Sequence, residues 1–343
     1  MSSPMLYGAL RRIGFPIRYI PLLPGDGSTL PARVIARHRD RCELHDGSRV
    51  FDALFSPGED PLAGDWALRS ECGGGEPRIV SLLPRFNLIR RGRAGGESQP
   101  LVANVDTALL VMGLDGNYRP NRLERFLLLA RASETTPVVV LTKADLCGEA
   151  GARIAQVRRL CGDATAVLHG DARDPRLREA LVPWCGEGQT LVLLGSSGVG
   201  KSTLCNTLLG ESAQATGAVS AEGDRGRHTT TARRLLCLPD GACIIDTPGL
   251  RELRLSGDET LGDGAFEDIV RLGEHCRYRD CRHGGEPGCA VRGQVEEERL
   301  DNYHKLEREL AHAQQNALQK RESKQADKAL QRGLRRFYRD RDR

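Results

Sequence analysis

Aromatic residues make up only 4% of this 343-residue chain, so any polyanion it holds is gripped by charge and shape more than by stacked rings. No apolar run approaches the roughly 20 residues that a membrane-crossing helix needs. The opening MSSPMLYGALRRIGFPIRYI has no uninterrupted apolar core and does not read as a secretory leader. A cytosolic, soluble monomer with no membrane partner is expected. Eleven cysteines, an odd number and mostly scattered, argue against a disulfide framework. Lysine is scarce as well, at six of the fifty Lys and Arg. What is present is globular composition, 39% hydrophobic and 28% charged, with 39 glycines and 17 prolines for loops, in a length that allows two or three domains.

Up to about residue 98, short apolar stretches (ARVIAR, RVFDALF, DWALR, PRIVSLLP) alternate with turn formers. That spacing predicts a small antiparallel barrel, and RRGRAGGESQP reads as the linker that follows. From Val102 the pattern becomes apolar strands alternating with helices near Pro120 to Ala132, Ala152 to Leu160, Pro175 to Val182 and from Lys201. This succession predicts a parallel sheet covered by helices. After about Glu252 the chain turns polar and bears Cys and His. From Val295 it reads as a long helix with Leu300, Leu306, Leu310 and Leu318 as its apolar positions. The expected division is 1–98, 99–252 and 253–343, with no internal repeat.

The strongest motif is Gly195-Ser196-Ser197-Gly198-Val199-Gly200-Lys201-Ser202-Thr203, set between the strand TLVLL and a helical run. Glycines let backbone N–H groups wrap a phosphate, Lys201 reaches the outer phosphates, and Ser202 is placed to ligate Mg²⁺. Asp246-Thr-Pro-Gly249 follows the strand ACII, where Asp246 can hold Mg²⁺ through water and Gly249 can offer its N–H to a γ-phosphate. Thr142-Lys143-Ala144-Asp145 closes the strand PVVVL. A carboxylate there can accept from both the ring N–H and the exocyclic amino group of guanine, and the Lys143 stem can cover the ring. Two of the six lysines fall at these motif positions, where arginine would not substitute. GTP is expected rather than ATP, and a P-loop ATPase or kinase is disfavoured. The base motif precedes the phosphate loop, the reverse of the ordinary GTPase order. A circular permutation allows this, because a parallel sheet gathers its loops at the carboxyl ends of its strands.

Cys276, Cys281, His283 and Cys289 supply three thiolates and one imidazole at close spacing in a Gly- and Arg-rich loop. That set suits one closed, structural zinc ion. From Lys320 to Arg343, ten Lys and Arg stand against four Asp and Glu, so a net charge of +4 for the whole chain conceals a basic end. A polyanionic partner and a solvated charged helix both fit that end. Arg85, Arg90, Arg91 and Arg93 are candidate phosphate contacts, or members of a solvated linker.

These motifs, in this order, resemble the circularly permuted ribosome small subunit-dependent GTPase A family, also called RsgA or YjeQ. The segment QPLVANVDTALLV and the switch segment GRHTTT at Gly226 to Thr231 belong to the resemblance. It implies an N-terminal OB-fold that binds RNA, a permuted α/β P-loop GTPase domain and a C-terminal zinc-binding helical domain. The activity it implies is GTP hydrolysis, with Mg²⁺, stimulated by the small ribosomal subunit and its rRNA during late maturation. It further implies that His228 orients the attacking water and that Thr229 or Thr230 coordinates Mg²⁺. On its residues alone, His228 reads as well as a solvent-facing loop histidine. Two departures from the ordinary GTPase pattern stand out. Thr142 replaces the usual Asn, so the loop-bracing amide is lost, and Leu250, which cannot orient water, stands where many GTPases carry Gln. The competing reading is an RNA-binding factor that holds GTP without turning it over.

Overall fold

Val138 to Leu141 and Leu191 to Leu194 have essentially no exposed surface, as expected of parallel strands covered on both faces. In the computed structural model, residues 4–25, 28–70, 75–93, 97–210, 233–247, 254–262 and 264–341 are described. They form two units: Met1–Ile89 with Pro100–Glu252, and Arg90–Gln99 with Leu253–Arg343.

The first unit holds both large sheets. Strands β1 (Thr29–Arg37), β2 (Arg41–His45), β3 (Val50–Leu54), β4 (Trp66–Ser70) and β5 (Ile79–Leu82) pair antiparallel in the order β3-β2-β1-β4-β5. A parallel bridge from Leu54 to Arg78 joins the two edges and closes the barrel, the five-stranded arrangement of an OB-fold. Its interior is small: Ala32, Val34, Cys42, Leu44, Ala53, Ala67 and Ile79. A helix absent from the sequence reading, α1 (Pro4–Arg11), covers one end. Gly47 is needed there, since a Cβ on it would fall 2.8 Å from the Ala9 carbonyl carbon.

The second sheet runs β10-β9-β8-β11-β13-β12, from β8 (Thr107–Gly113), β9 (Thr136–Thr142), β10 (Ala166–Gly170), β11 (Thr190–Leu194), β12 (Arg234–Cys237) and β13 (Cys243–Asp246). All pairs are parallel except β12 with β13. Helices α2 (Pro120–Ala132), α3 (Ala150–Cys161), α4 (Pro175–Leu181) and α5 (Lys201–Leu209) connect the strands. Helix α2 starts on a proline at its first turn and buries Leu123, Phe126, Leu127 and Ala130, the i, i+3, i+4, i+7 stripe that its sequence announced. The strand order turns back between β8 and β11, and the carboxyl ends flanking that reversal carry the nucleotide motifs.

The segment read as a linker is partly strand. Arg90 to Gly92 end β6 (Leu88–Gly92), and Ser98 to Pro100 begin its partner β7 (Ser98–Ala103). Within the second unit, the Gly92 N–H also donates to the Arg254 carbonyl at 2.8 Å, an isolated bridge that ties the end of β6 to a residue far along the chain. Arg91 and Arg93 donate to Gln99 Oε1, and Arg90 lies 3.4 Å from Ser98 Oγ. Arg85 is engaged too: its Nε and Nη2 donate to the two carboxylate oxygens of Asp65, each at 2.7 Å. Asp65 is fully buried, and burial pushes its carboxyl above the usual range against the pull of Arg85. Arg85→Ala would strand that carboxylate. The expected loss is about 3–5 kcal/mol of stability, read as a lower urea midpoint at unchanged slope.

In the second unit the helix Glu267–Gly273 and the long helix Glu297–Arg341 frame the Cys and His loops. Leu300, Leu306 and Leu310 are buried as expected, but Leu318 is 57% exposed, so the apolar stripe of the long helix ends about two turns earlier than the sequence suggested. No described helix is long and apolar enough to cross a membrane.

Candidate functional site

Strand β11 delivers the chain to Gly195, where a Cβ would sit 2.3 Å from the Val111 carbonyl oxygen of β8. Only glycine permits that approach, which fixes where the phosphate loop leaves the sheet. Gly200, with φ +97°, turns the chain into α5, whose first residues are Lys201, Ser202 and Thr203. Ser197, Gly198, Ser202 and Thr203 are exposed on the loop, while Val199 is buried beneath it. The loop therefore presents backbone N–H groups and a helix N-terminus toward one side, an arrangement suited to an anion. Lys201 Nζ donates to the carbonyls of Gly195 and Ser196, at 2.8 and 2.7 Å. Burial lowers its pKa and raises that of Asp246, and each charge partly offsets the other's shift. A half-buried lysine and a half-buried carboxylate thus face the same small region at the ends of β11 and β13, as a Mg²⁺-phosphate group requires.

The base motif is bonded directly to this loop. Thr142 Oγ1 donates to the Val199 carbonyl at 2.6 Å, and both residues are buried. The amide that Thr142 replaces is absent, as expected, and its hydroxyl ties the two loops together instead. Lys143 takes a left-handed backbone conformation, φ +60°, and its Nζ donates to the Gly198 carbonyl at 2.7 Å and to Asp115 Oδ2 at 2.6 Å. Ala144 and Asp145 open a short 3-10 helix, with Asp145 exposed and available to a base. Thr142→Val would leave the Val199 carbonyl buried without its donor. GTP affinity should fall about 5–10-fold, measured by titration calorimetry, with the fold retained.

Three participants were not foreseen. Asp115 follows β8, and its carboxyl is held below the usual range chiefly by the Lys143 ammonium. Arg122 of α2 donates to the Ser196 hydroxyl. Thr207 of α5 donates to the Ala172 carbonyl at 2.7 Å, docking the loop after β10 against the phosphate-loop helix. Each is an ordinary surface residue by local pattern, and only the strand order makes it a neighbour of the site. Gly249, His228, Thr229 and Thr230 lie outside the described residues.

The second candidate site gathers Cys276, Cys281, His283 and Cys289, whose ligand atoms all lie within 4.8 Å of one another. His283 Nδ1 stands 3.6 Å from Cys276 Sγ and 3.5 Å from Cys289 Sγ. A zinc tetrahedron with Zn–S near 2.3 Å and Zn–N near 2.0 Å sets sulfur and nitrogen about 3.5 Å apart, so the donor set fits that ion. Backbone N–H groups of Ala290 and Arg292 point at Cys276 Sγ and Cys289 Sγ, at 3.3 and 3.5 Å, and favour thiolates. Four protein donors leave no open position for catalysis.

Residues 82–256 match the family model described as RsgA GTPase. Residues 184–336 match the ABC transporter model as well. The two matches share residues 184–256, which contain the phosphate loop. The chain is 43% identical over 331 residues to a small ribosomal subunit biogenesis GTPase RsgA of Xanthomonas campestris pv. campestris (strain B100), with 90% of each chain covered. It is 46% identical over 308 residues to the protein of that name from Xylella fastidiosa (strain M12), covering 85% of this chain and 91% of the relative. In fold it is similar to the crystal structure of YjeQ from Thermotoga maritima, with TM-score 0.59 and 24% identity over 82% of this chain and 99% of the other. It is also similar to that of YloQ, a circularly permuted GTPase, with TM-score 0.58 and 22% identity over 84% and 98%. With more than two fifths of its residues shared along nine tenths of its length, and its base motif ahead of the phosphate loop in sequence yet bonded to it in space, the chain belongs to the RsgA GTPase family.

Proposed function

We propose that this protein is a GTP hydrolase that binds the small ribosomal subunit in the cytoplasm and couples GTP hydrolysis, as a timer, to its late maturation. The observation that carries the reading is the double tie between base motif and phosphate loop, Thr142 to Val199 and Lys143 to Gly198, which couples guanine recognition to phosphate binding. In this reading Asp145 selects the base. Ser202 ligates Mg²⁺ directly with Thr229 or Thr230, and Asp246 holds it through water. Gly249 contacts the γ-phosphate, and His228 orients the attacking water in place of a glutamine. One structural zinc at Cys276, Cys281, His283 and Cys289 organises the C-terminal domain. The barrel of domain 1–98 and the basic end after Gln319 contact rRNA, and the protein works as a monomer.

Since Leu250 cannot orient water, turnover by the isolated protein should be slow. Phosphate release from GTP is to be measured with and without purified small subunits. Strong stimulation that His228→Ala abolishes, by roughly 10²-fold or more with little change in GTP affinity, is the expected result. Stimulation that survives His228→Ala removes that residue from the chemistry, and GTP binding with no phosphate release on subunits leaves only a binding factor. Truncation after Gln319 should weaken subunit binding and flatten its salt dependence.

A further inference from the structure

Of the ten described cysteines, three belong to the Cys and His cluster. Cys237 and Cys243 do not. They are directly opposed partners in the antiparallel β12–β13 pairing, one at the end of β12 and the other at the start of β13. The next pair toward the turn, Leu238 and Ala242, is hydrogen-bonded, with the Leu238 N–H donating to the Ala242 carbonyl at 2.7 Å. Hydrogen-bonded and non-hydrogen-bonded pairs alternate along an antiparallel ladder, so Cys237 and Cys243 occupy a non-hydrogen-bonded position, where Cα atoms stand about 4.5 Å apart and side chains are closest. That separation lies within the range a disulfide accepts. Both are free thiols here, Cys243 fully buried and Cys237 half-buried.

We propose that Cys237 and Cys243 form a dithiol site that exchanges with small disulfides of the glutathione class and closes into an intramolecular disulfide. The Cys237 thiolate attacks one sulfur of the small disulfide, forming a mixed disulfide and expelling the first small thiolate. The Cys243 sulfur, losing its proton, then attacks Cys237 Sγ and expels the second. Two protein thiols are oxidised, one small disulfide is reduced to two thiols, and the two protons leaving the cysteines are taken up by the two expelled thiolates. The order follows from access, because only Cys237 reaches solvent. The hydrogen bond from its partner thiol also holds the Cys237 pKa below the ordinary thiol value. Lone buried thiols behave in the opposite way: burial pushes Cys205 and Cys42 to about 12 and Cys185 to about 11, which leaves them inert to exchange. The pair sits at the amino end of β13, three residues before Asp246, on the side of the sheet away from the phosphate loop. The bond would therefore staple the hairpin without filling the nucleotide site.

The test uses the full-length, zinc-loaded protein. It is equilibrated with glutathione disulfide, quenched in acid, unfolded, alkylated and digested with trypsin. Peptide 235–251 carries both cysteines and no other. The expected product is that peptide two hydrogens lighter and unalkylated, restored by reductant. Cys243→Ala should instead trap a stable glutathione adduct on Cys237, and Cys237→Ser should leave Cys243 unmodified. Recovery of the peptide fully alkylated after prolonged exposure would overturn the proposal. So would a stable adduct on Cys237 in the parent protein, or a disulfide joining either residue to another cysteine.

Discussion

Stripping the proposed zinc from Cys276, Cys281, His283 and Cys289 should unfold the unit around them while the nucleotide site continues to bind GTP. The apolar interior of that unit is small, chiefly Leu255, Phe266, Ile269, Val291, Leu300, Leu306 and Leu310. Each such side chain contributes about 1.5–3 kcal/mol on burial, against about 1–2 kcal/mol of backbone entropy for every residue ordered, including the polar loops between Cys276 and Cys289. A structural zinc contributes apparent binding energies of about 10–16 kcal/mol, more than the net stability of most small domains. Cys281→Ser leaves a three-donor site and is expected to act like a chelator. Metal analysis should find one zinc per chain in the parent and none in the chelated form. Helical circular dichroism should fall with metal loss, and GTP titration should stay within about threefold of the parent. A metal-free sample with the full helical signal would overturn the structural assignment. Loss of GTP binding in step with the metal would show that the nucleotide site does not stand without it.

The second large effect concerns Asp145. In the proposed role its exposed carboxylate would accept from guanine's ring N–H and exocyclic amino group, two hydrogen bonds to a charged acceptor worth about 1.5–3 kcal/mol each. Asp145→Asn replaces one acceptor by a donor that faces the guanine amino group, so GTP affinity should drop about 10²-fold or more. Xanthosine triphosphate carries a carbonyl at that position and should gain on the variant by a comparable factor. Competition titrations with GTP, XTP and ATP read both changes. Displacement of GTP by ATP from the parent protein at equal concentration would sink the base assignment. The Lys143 contacts to Asp115 and Gly198 are untouched by the substitution, so the fold of the loop is expected to persist.

Much of this arrangement was legible in the chain because the signals are local. Pro120 to Ala132 announces its helix by a proline at the first turn and apolar residues at helical spacing, and the helix spans those residues. The phosphate loop was readable because Gly195 and Gly200 are demanded by backbone geometry, which sequence records directly. What escaped was set by partners that the local pattern does not announce. Arg90 to Gly92 carry the composition of a linker and become strand because residues 98 and onward, and Arg254, lie beside them. Asp115, Arg122 and Thr207 gain their roles from the strand order alone. Leu318 failed for a related reason: an apolar residue on a helix is buried only if something packs on it, and periodicity cannot report where the packing ends.

The bond between Gly92 and Arg254 also bears on the order in which the protein is made. Its two ends are separated by about 160 residues, so at ordinary elongation rates a ribosome needs about 8–32 s between producing the first and producing the second. During that interval the barrel strands have already emerged, while residues 90–99 wait without the chain they belong to. The nascent protein therefore carries one open edge of the β6–β7 pair through nearly half of its synthesis, and Arg90, Arg91 and Arg93 along it are the kind of charged residues that discourage pairing with other chains. A chain arrested before residue 254 should consequently show the hairpin segment as its earliest site of proteolytic nicking, and completion of the C-terminal unit should close that window.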